Sequence, residues 1–555
     1  MAVEESSEVS TSGDGAPALS TLPVPSVIDQ AVLAEGSAIE PSLSTDVPIF
    51  IVGVGASAGG LEALKRLVSE IELDSMAFVV ITHLARDRES ILPALLSRST
   101  RLEVKFAEQG MRVQSNRVYV MSPGTNVAIS GGVLQVTPED PERPRLPVDV
   151  FFRSLAQDQA SHAIGVILSG TGSDGSFGLK AIKDAGGFTF AQEPGTAQYE
   201  AMPRNALGAA DYSLPPGAIG QELMRIGRHP YAARPPRSTT ERPGGTAQLL
   251  ALIRSTFGHD LTQYKPSTID RRIARRMALQ KLDATDDYLQ LVKNTPEELR
   301  SLYRDMLINV TSFFRDHEPF EALAAKIFPA LVEEKGMGGP IRMWVPACST
   351  GEEPYSLAIS LVESLGERIR DFRVQIFATD VEDESVQFAR RGVYGAHIAL
   401  DVSPERLHRF FMKRDGDYQI SRRIRDMVVF STHNVAKDAP FSRLDLVSCR
   451  NLLIYLQPPM QKKVLRVLHY ALNPHGYLML GNSETVGDSP ELFTLLDRKN
   501  RIYLPKHLTT RSSVDVTSGP AFADPPTHRA PPPRPLATVA SLADRKILEL
   551  YAPPG

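Results

Sequence analysis

Cysteine is almost absent from this 555-residue chain, with Cys348 and Cys449 the only two. That scarcity excludes a disulfide framework and a thiolate zinc site. Both cysteines fall in strand-like apolar segments, which reads as buried thiols in a reducing cytoplasm. No stretch reaches the ~20 apolar residues of a membrane span. The N-terminus lacks a basic region leading into an apolar run, so no secretory signal is expected. Charge of one sign is lacking too: 61 Lys and Arg stand against 65 Asp and Glu, a formal net charge of -4, with no global bias toward nucleic acid or membrane. What remains, 42% hydrophobic residues, describes a soluble chain with length for roughly two to four domains.

Residues 1–47 hold too few bulky apolar groups to offset the entropy of ordering and read as disordered. From 48 to 228, short apolar runs (Ile49–Val54, Ala77–Thr82, Val118–Met121, Ala163–Leu168) alternate with helix-like stretches, the signature of a parallel α/β layer. Residues 229–245, with Pro-Pro and Gly-Gly, form a linker. A helical subdomain follows over 246–334, and a second strand-helix alternation over 335–505 gives a Rossmann-like subdomain. Residues 506–540 are Pro-rich and extended, and 541–555 read as a short amphipathic helix. The fold class is therefore α/β, with a parallel-sheet domain ahead of a helical plus Rossmann-like one.

In the first unit, strand Ile49–Val54 runs into Gly55–Ala56–Ser57–Ala58–Gly59–Gly60 and then a helix-forming Leu61–Leu64. This is G-x-S-x-G in strand-turn-helix context, where small residues let the chain turn tightly and present a serine oxygen. A plain Gly-rich turn is the competing reading of the motif alone. Two residues favour chemistry: His83 ends the strand Ala77–Thr82, and Asp174 follows Ala163–Leu168 within Ser169–Gly175. All three lie at carboxyl ends of strands, the edge where α/β sites assemble. A serine becomes a useful nucleophile when an imidazole takes its proton and a carboxylate fixes the imidazole tautomer.

These motifs, with Glu193–Pro194 and Ala201–Ala206, resemble the chemotaxis receptor methylesterases of CheB type over nearly all of 48–225. The resemblance implies a Ser57, His83, Asp174 triad. Two positions depart from the family: Ala58 stands where threonine is usual, and Thr171 where methionine is usual. The Ala58 N–H still serves an oxyanion hole, whereas a side-chain donor, worth roughly 3 kcal/mol, is lost. The family's receiver domain has no room in residues 1–47, so phosphorylation control in cis is not expected.

In the second unit, Ile341–Pro346, the turn Ala347–Gly351 and the acidic helix start Glu352–Glu353 precede a second strand, Val374–Thr379, that ends on Asp380. An acidic strand end suits ribose hydroxyls. A turn with one glycine followed by carboxylates repels a pyrophosphate, so a cationic, phosphate-free nucleoside fits, and S-adenosylmethionine is the common one. Ile308–Arg315, His433–Val435, Ser448–Tyr455 and Leu472–Gly481 follow in an order that resembles the chemotaxis receptor glutamate methyltransferases of CheR type over 246–505. The resemblance implies that Asn309, Thr311 and Arg315 contact the methionine end of the cofactor and Glu353 its amino-acid group. It also implies Asp380 for the ribose, Asn434 and Val435 for the adenine, and Asn451 and Leu452 for the remaining face. Arg315 and Tyr455 would orient the incoming carboxylate. No metal is expected.

Arg271, Arg272, Arg275 and Arg276 share a helix face by i, i+4 spacing. The face reads either as ordinary solvated surface or, as the resemblance favours, as a dock for an acidic helical receptor; no aromatic interleaving points to nucleic acid. Between Phe411 and Ile424 the extra glycine-containing residues of receptor-tail-gripping relatives are missing, so no tether to a receptor C-terminal pentapeptide is expected. The end of the chain resembles the lead-in to a PAS module of longer sensory fusions, some with kinase modules. The whole reads as a bifunctional enzyme peripheral to membrane receptors that makes and hydrolyses glutamyl methyl esters. The rival is a signalling scaffold whose domains bind cofactor and receptor with little or no turnover.

Overall fold

Apolar runs too long to face water on either side become the central strands. The computed structural model describes residues 50–506 apart from 73–75, 84–89, 142, 230–243, 337 and 488. Its first sheet is built from β1 (Phe50–Ala56), β2 (Met76–Thr82), β3 (Glu103–Phe106), β4 (Arg117–Val120), β7 (Ala163–Ile167), β8 (Phe188–Gln192) and β9 (Tyr212–Leu214); β5 (Thr125–Ser130) and β6 (Val133–Pro138) form a separate hairpin. The strands lie in the order β3-β4-β2-β1-β7-β8-β9. Every pair in this seven-stranded sheet is parallel. β1, β2, β7 and β8 are buried along their whole length, because helices cover both faces. The helices are α1 (Gly60–Ser69), α2 (Leu92–Leu96), α3 (Pro147–Gln159), α4 (Ser176–Ala185), α5 (Ala201–Ala206) and α6 (Pro216–Arg228). Phe50, Val52 and Val54 pack with α1 and α6, while Ile51 packs with α3 and α4. Expectations for the N-terminal segment, most of the linker and everything after Lys506 lie outside the described residues.

The second unit begins with α7 (Gly244–Phe257), α8 (Pro266–Leu279), α9 (Thr285–Asn294) and α10 (Pro296–Met306), closed around Leu249, Ile273, Tyr288 and Leu302. Its sheet is built from β10 (Ile341–Pro346), β11 (Val374–Asp380), β15 (Val428–Thr432), β16 (Leu444–Cys449), β17 (Leu472–Leu480), β18 (Phe493–Asp497) and β19 (Ile502–Pro505), in the order β15-β11-β10-β16-β17-β19-β18. Pairing is parallel through β17 and antiparallel for β19 and β18. Helix α11 (Glu352–Leu365) leaves β10 and is buried over most of its length. β12 (Val393–Tyr394), β13 (Phe411–Arg414) and β14 (Asp417–Ile420) make a small antiparallel sheet. Its hairpin closes on Asp415 and Gly416, at φ 48° and 93°, the tight two-residue turn that Asp-Gly favours.

Three of the four α8 arginines, Arg272, Arg275 and Arg276, are not a free docking face, while Arg271 stays half-exposed. Arg275 is fully buried, donating to Gly187 O at 2.8 Å, to Asp305 at 2.6 Å and to Asp211. Arg272 is buried as well and donates to the carbonyls of Lys183 and Asp184. Arg276 grips Glu298 within the helical subdomain. The stripe that suits an acidic helix suits equally the C-terminal carbonyls of α4, where the helix dipole is negative, and it is the first unit that occupies it. Tyr212 Oη donates to Leu279 O at 2.6 Å and Arg225 to Ala278 O at 2.8 Å, while Ala278 joins the apolar core under β1. A second patch pairs Arg153 with Asp401 at 2.6 Å and stacks Phe177 on His397. The two units thus share a buried interface that no feature of the sequence announces.

Candidate active sites

β1 ends at Ala56, and the chain must reverse into α1 within a few residues. Gly59 does so at φ 71°, and a Cβ there would lie 2.8 Å from Ser169 Oγ. A Cβ on Gly170 would meet Ser57 Cβ at 2.8 Å; glycine at both places lets two strand ends converge around the serine. Ser57 Oγ then lies 3.2 Å from His83 Nδ1, and His83 Nε2 lies 3.0 Å from Asp174 Oδ2. With Nε2–H donated to the carboxylate, the Nδ1 lone pair faces the hydroxyl, as a general base requires. Asp174 is buried and accepts the N–H groups of Val148 and Asp149 at 3.0 and 2.9 Å. Those amides open α3, so a helix N-terminus steadies the anion. Thr171, Gly172 and Ser173 are exposed at the mouth. The structure therefore brings Ser57, His83 and Asp174 to hydrogen-bonding distance.

The second site surrounds the β10–α11 turn. Ala347 and Ser349 are held at φ 56° and 48°, strain of the kind found at ligand clamps, and Gly351 turns the chain at 94° without cost. A cavity of about 450 Å³ is lined by Asp380, Asn434, Val435 and Leu452 together with His259 and Tyr264. It shares Tyr264, Ala347, Asp380, Val381 and Leu452 with a second, smaller cavity lined by Asn309, Thr311, Arg315, Glu353, Asn451 and Tyr455. All the transferase residues singled out from the sequence thus line one bent pocket.

The electrostatics are those of a carboxylate-lined pocket. Asp380 accepts Ser349 N–H at 2.9 Å and Glu382 N–H at 3.0 Å, and burial pushes its carboxyl above the usual range. Glu353 is raised by burial too, with Arg450 and the Ser448 hydroxyl pulling against it. Asn309 donates to Glu382 at 2.6 Å and accepts from Ser349 Oγ at 3.3 Å. Arg315 Nη1 donates to Val310 O at 2.7 Å, turning its own loop back on itself. The carboxylates fit a cationic nucleoside, offering partners for an ammonium and for hydroxyls, while Arg254, Lys437 and Lys463 also line the larger cavity.

Sequence reasoning missed Glu484, which is buried and accepts the N–H groups of Asn451, Leu453 and Gly481 at 2.8, 2.7 and 2.8 Å. It holds the Asn451–Leu452 turn against the pocket. It also missed Arg450, whose buried guanidinium clamps Arg315 O and Asp316 at 2.7 and 2.8 Å.

Comparison with known proteins gives a consistent set of likenesses. Residues 52–223 match the family described as CheB methylesterase, residues 246–307 the all-alpha domain of CheR methyltransferase, and residues 309–502 its SAM binding domain. An uncharacterized 104.1 kDa protein of Rhodobacter capsulatus is 37% identical over 440 residues, 74% of this chain and 46% of that protein. The chain thus spans about half of that relative. Chemotaxis protein methyltransferase 1 of Pseudomonas aeruginosa is 32% identical over 44% of this chain and 91% of its own length. Among solved structures, the Thermotoga maritima CheB methylesterase catalytic domain is 28% identical, with a TM-score of 0.30, over 32% of this chain and 98% of that one.

Proposed function

From a chain that belongs to the CheB methylesterases in its first half and to the CheR methyltransferases in its second, we propose a bifunctional signalling enzyme that writes and erases methyl esters on glutamate side chains of a receptor-like protein. The observation that carries the reading is that one chain presents two complete sets of groups, Ser57, His83 and Asp174 at 3.2 and 3.0 Å, and the carboxylate-lined pocket around Asp380. Glu353, Asp380, Asn434, Val435, Asn451 and Leu452 would hold S-adenosylmethionine, which would supply an electrophilic methyl group. A glutamate, with a pKa near ~4.3, is already a nucleophile at neutral pH and needs no base. Arg315 and Tyr455 then have the task of orientation, with Asn309 and Thr311 shaping the methyl end; alignment and exclusion of water contribute on the order of 7–11 kcal/mol. In the other half, Ser57 attacks the ester carbonyl while His83 takes its proton and returns it to the departing methanol. Water activated by His83 then cleaves the glutamyl-Ser57 ester and the proton returns to Ser57, with the Ala58 N–H helping to hold the oxyanion in both steps. The setting is the cytoplasmic side of a membrane receptor. No helix among the described residues is long and apolar enough to cross a membrane.

The test is transfer of labelled methyl from S-adenosylmethionine to receptor-containing membranes, read as base-labile methanol, with the Ser57→Ala protein so that product is kept. Label on a receptor band is expected; no label despite cofactor binding would move the reading to a scaffold. Asp380→Ala is expected to weaken cofactor binding by about 2–3 kcal/mol, the value of hydrogen bonds to a charged acceptor, or roughly 30- to 150-fold in calorimetry, with ester hydrolysis unchanged.

A further inference from the structure

Behind the triad lies a second carboxyl that the proposed mechanism does not use. Asp149, 1% exposed, sits in the first turn of α3, and its own N–H donates to Asp174 at 2.9 Å. Its Oδ1 accepts Gly178 N–H from α4 at 2.7 Å. The two buried carboxyls are linked through the Asp149 amide and sit close enough for the charge of Asp174 to oppose ionisation of Asp149. Asp174 accepts the Val148 and Asp149 amides and faces the His83 ring, while burial and the charge of Asp174 keep the proton on Asp149.

The charged groups that face Asp149 are few. Asp174 comes from the loop before α4, and Arg153 lies one turn on along α3. From α4 it meets backbone amides, while Lys180 and Lys183 on that helix are turned to Asp184 and Asp211. Asp149 and Arg153 have the i, i+4 spacing of a helical ion pair, yet Arg153 reaches away to Asp401 of the second unit at 2.6 Å.

We propose that Asp149 is a positioning residue of the esterase, acting as an uncharged acid that keeps Asp174 on His83, and that the transferase unit maintains this state by holding Arg153 on Asp401. Burial, and then the charge of Asp174, pushes Asp149 up to about 8, with the Gly178 amide and Arg153 pulling the other way. Above that pH a second anion repels Asp174 and spoils the alignment of the imidazole. The inference rests on the esterase reading of Ser57, and the Ser57→Ala control tells the two apart: equal turnover by that protein sinks the esterase reading itself.

The experiment is the pH profile of kcat/KM for methanol release from a peptide carrying one glutamate γ-methyl ester, with the whole chain. Wild type is expected to fall about twentyfold between pH 7.5 and 9.5, the loss of a single protonated acid. Asp149→Asn, which keeps the shape and the acceptor for Gly178, stays within about twofold over that range. A role in packing alone would lower activity equally at every pH. Asp401→Asn returns Arg153 to Asp149 and brings the fall to lower pH, about a threefold loss at pH 7.5. Arg153→Gln moves it upward and serves if the Asp149→Asn protein does not fold. A flat wild-type profile, or the same fall in Asp149→Asn, overturns the positioning role; an unmoved profile in both Asp401→Asn and Arg153→Gln overturns the transferase's part.

Stability gives a second readout with a definite sign. In the unfolded chain Asp149 ionises near its ordinary value of ~3.9, whereas in the fold it holds its proton to about 8. Its contribution to stability is full below pH 4 and is lost as pH rises toward 8. Asp149→Asn is expected to lose less stability than wild type between pH 5 and 8.

Discussion

Ser57→Ala is expected to lower ester hydrolysis by about 10⁴- to 10⁶-fold while leaving affinity for S-adenosylmethionine within about twofold. The change deletes one oxygen at a half-exposed turn, so folding stability should move by less than about 0.5 kcal/mol. What it removes is the atom 3.2 Å from His83 Nδ1 that would form the acyl-enzyme bond. His83 and Asp174 remain paired at 3.0 Å, and the oxyanion donors remain too, so the residue of activity measures what the hole and binding achieve alone. Because Ala58 has no side-chain donor, that residue belongs at the low end. Methanol release from a methylated peptide, with cofactor calorimetry on the same sample, reads both numbers. Hydrolysis that survives would place the chemistry elsewhere; cofactor affinity lost in step with hydrolysis, in a folded protein, would mean that the two sites are not independent.

The Ser57, His83 and Asp174 cluster could be read from the sequence because each residue announces itself locally. Ser57 stands in a turn whose glycines are required by φ and by close approach, and His83 and Asp174 each follow an apolar run. Their separations of 26 and 91 residues matter little once all three are assigned to one edge of a parallel sheet. The carboxylate-lined pocket could be read for the same reason, since Glu353 follows β10 and Asp380 ends the adjacent strand β11. Asp149 was not legible: in sequence it is an ordinary acidic residue in a helix's first turn, and only the fold sets it against Asp174. Glu484 lies just beyond the Leu472–Gly481 motif and is defined by one local amide, Gly481, and by those of Asn451 and Leu453 some 30 residues upstream. The α8 stripe shows the general limit. Periodicity tells which side chains share a face and says nothing of what covers that face, because the partner, α4, is some 80 to 90 residues away.

Arg275→Ala is expected to destabilise the chain by about 3–5 kcal/mol, the range for breaking a buried ion pair from one side. Arg275 has no exposed surface and satisfies three acceptors, Gly187 O, Asp305 and Asp211, across both units. Without it Asp211 keeps Lys183 at 3.3 Å and Asp305 keeps Arg276 at 3.9 Å, which sets the loss toward the lower end. The damage should also be cooperative in a particular way, because the guanidinium ties β9 and the end of α4 in one unit to α8 and α10 in the other. Trp344, the single tryptophan of the chain, is buried in β10 with its indole N–H on Thr379 at 3.0 Å, so its fluorescence reports the second unit alone. In wild type that signal and far-ultraviolet circular dichroism should melt together; in Arg275→Ala they should separate, with one unit unfolding before the other. Lys at this position keeps the charge but not the planar fork that reaches three acceptors, and it is expected to recover less than half of the loss. Coincident melting of the variant at the wild-type temperature would mean that the interface is held by its apolar contacts around Ala278 and that the buried ion cluster is dispensable.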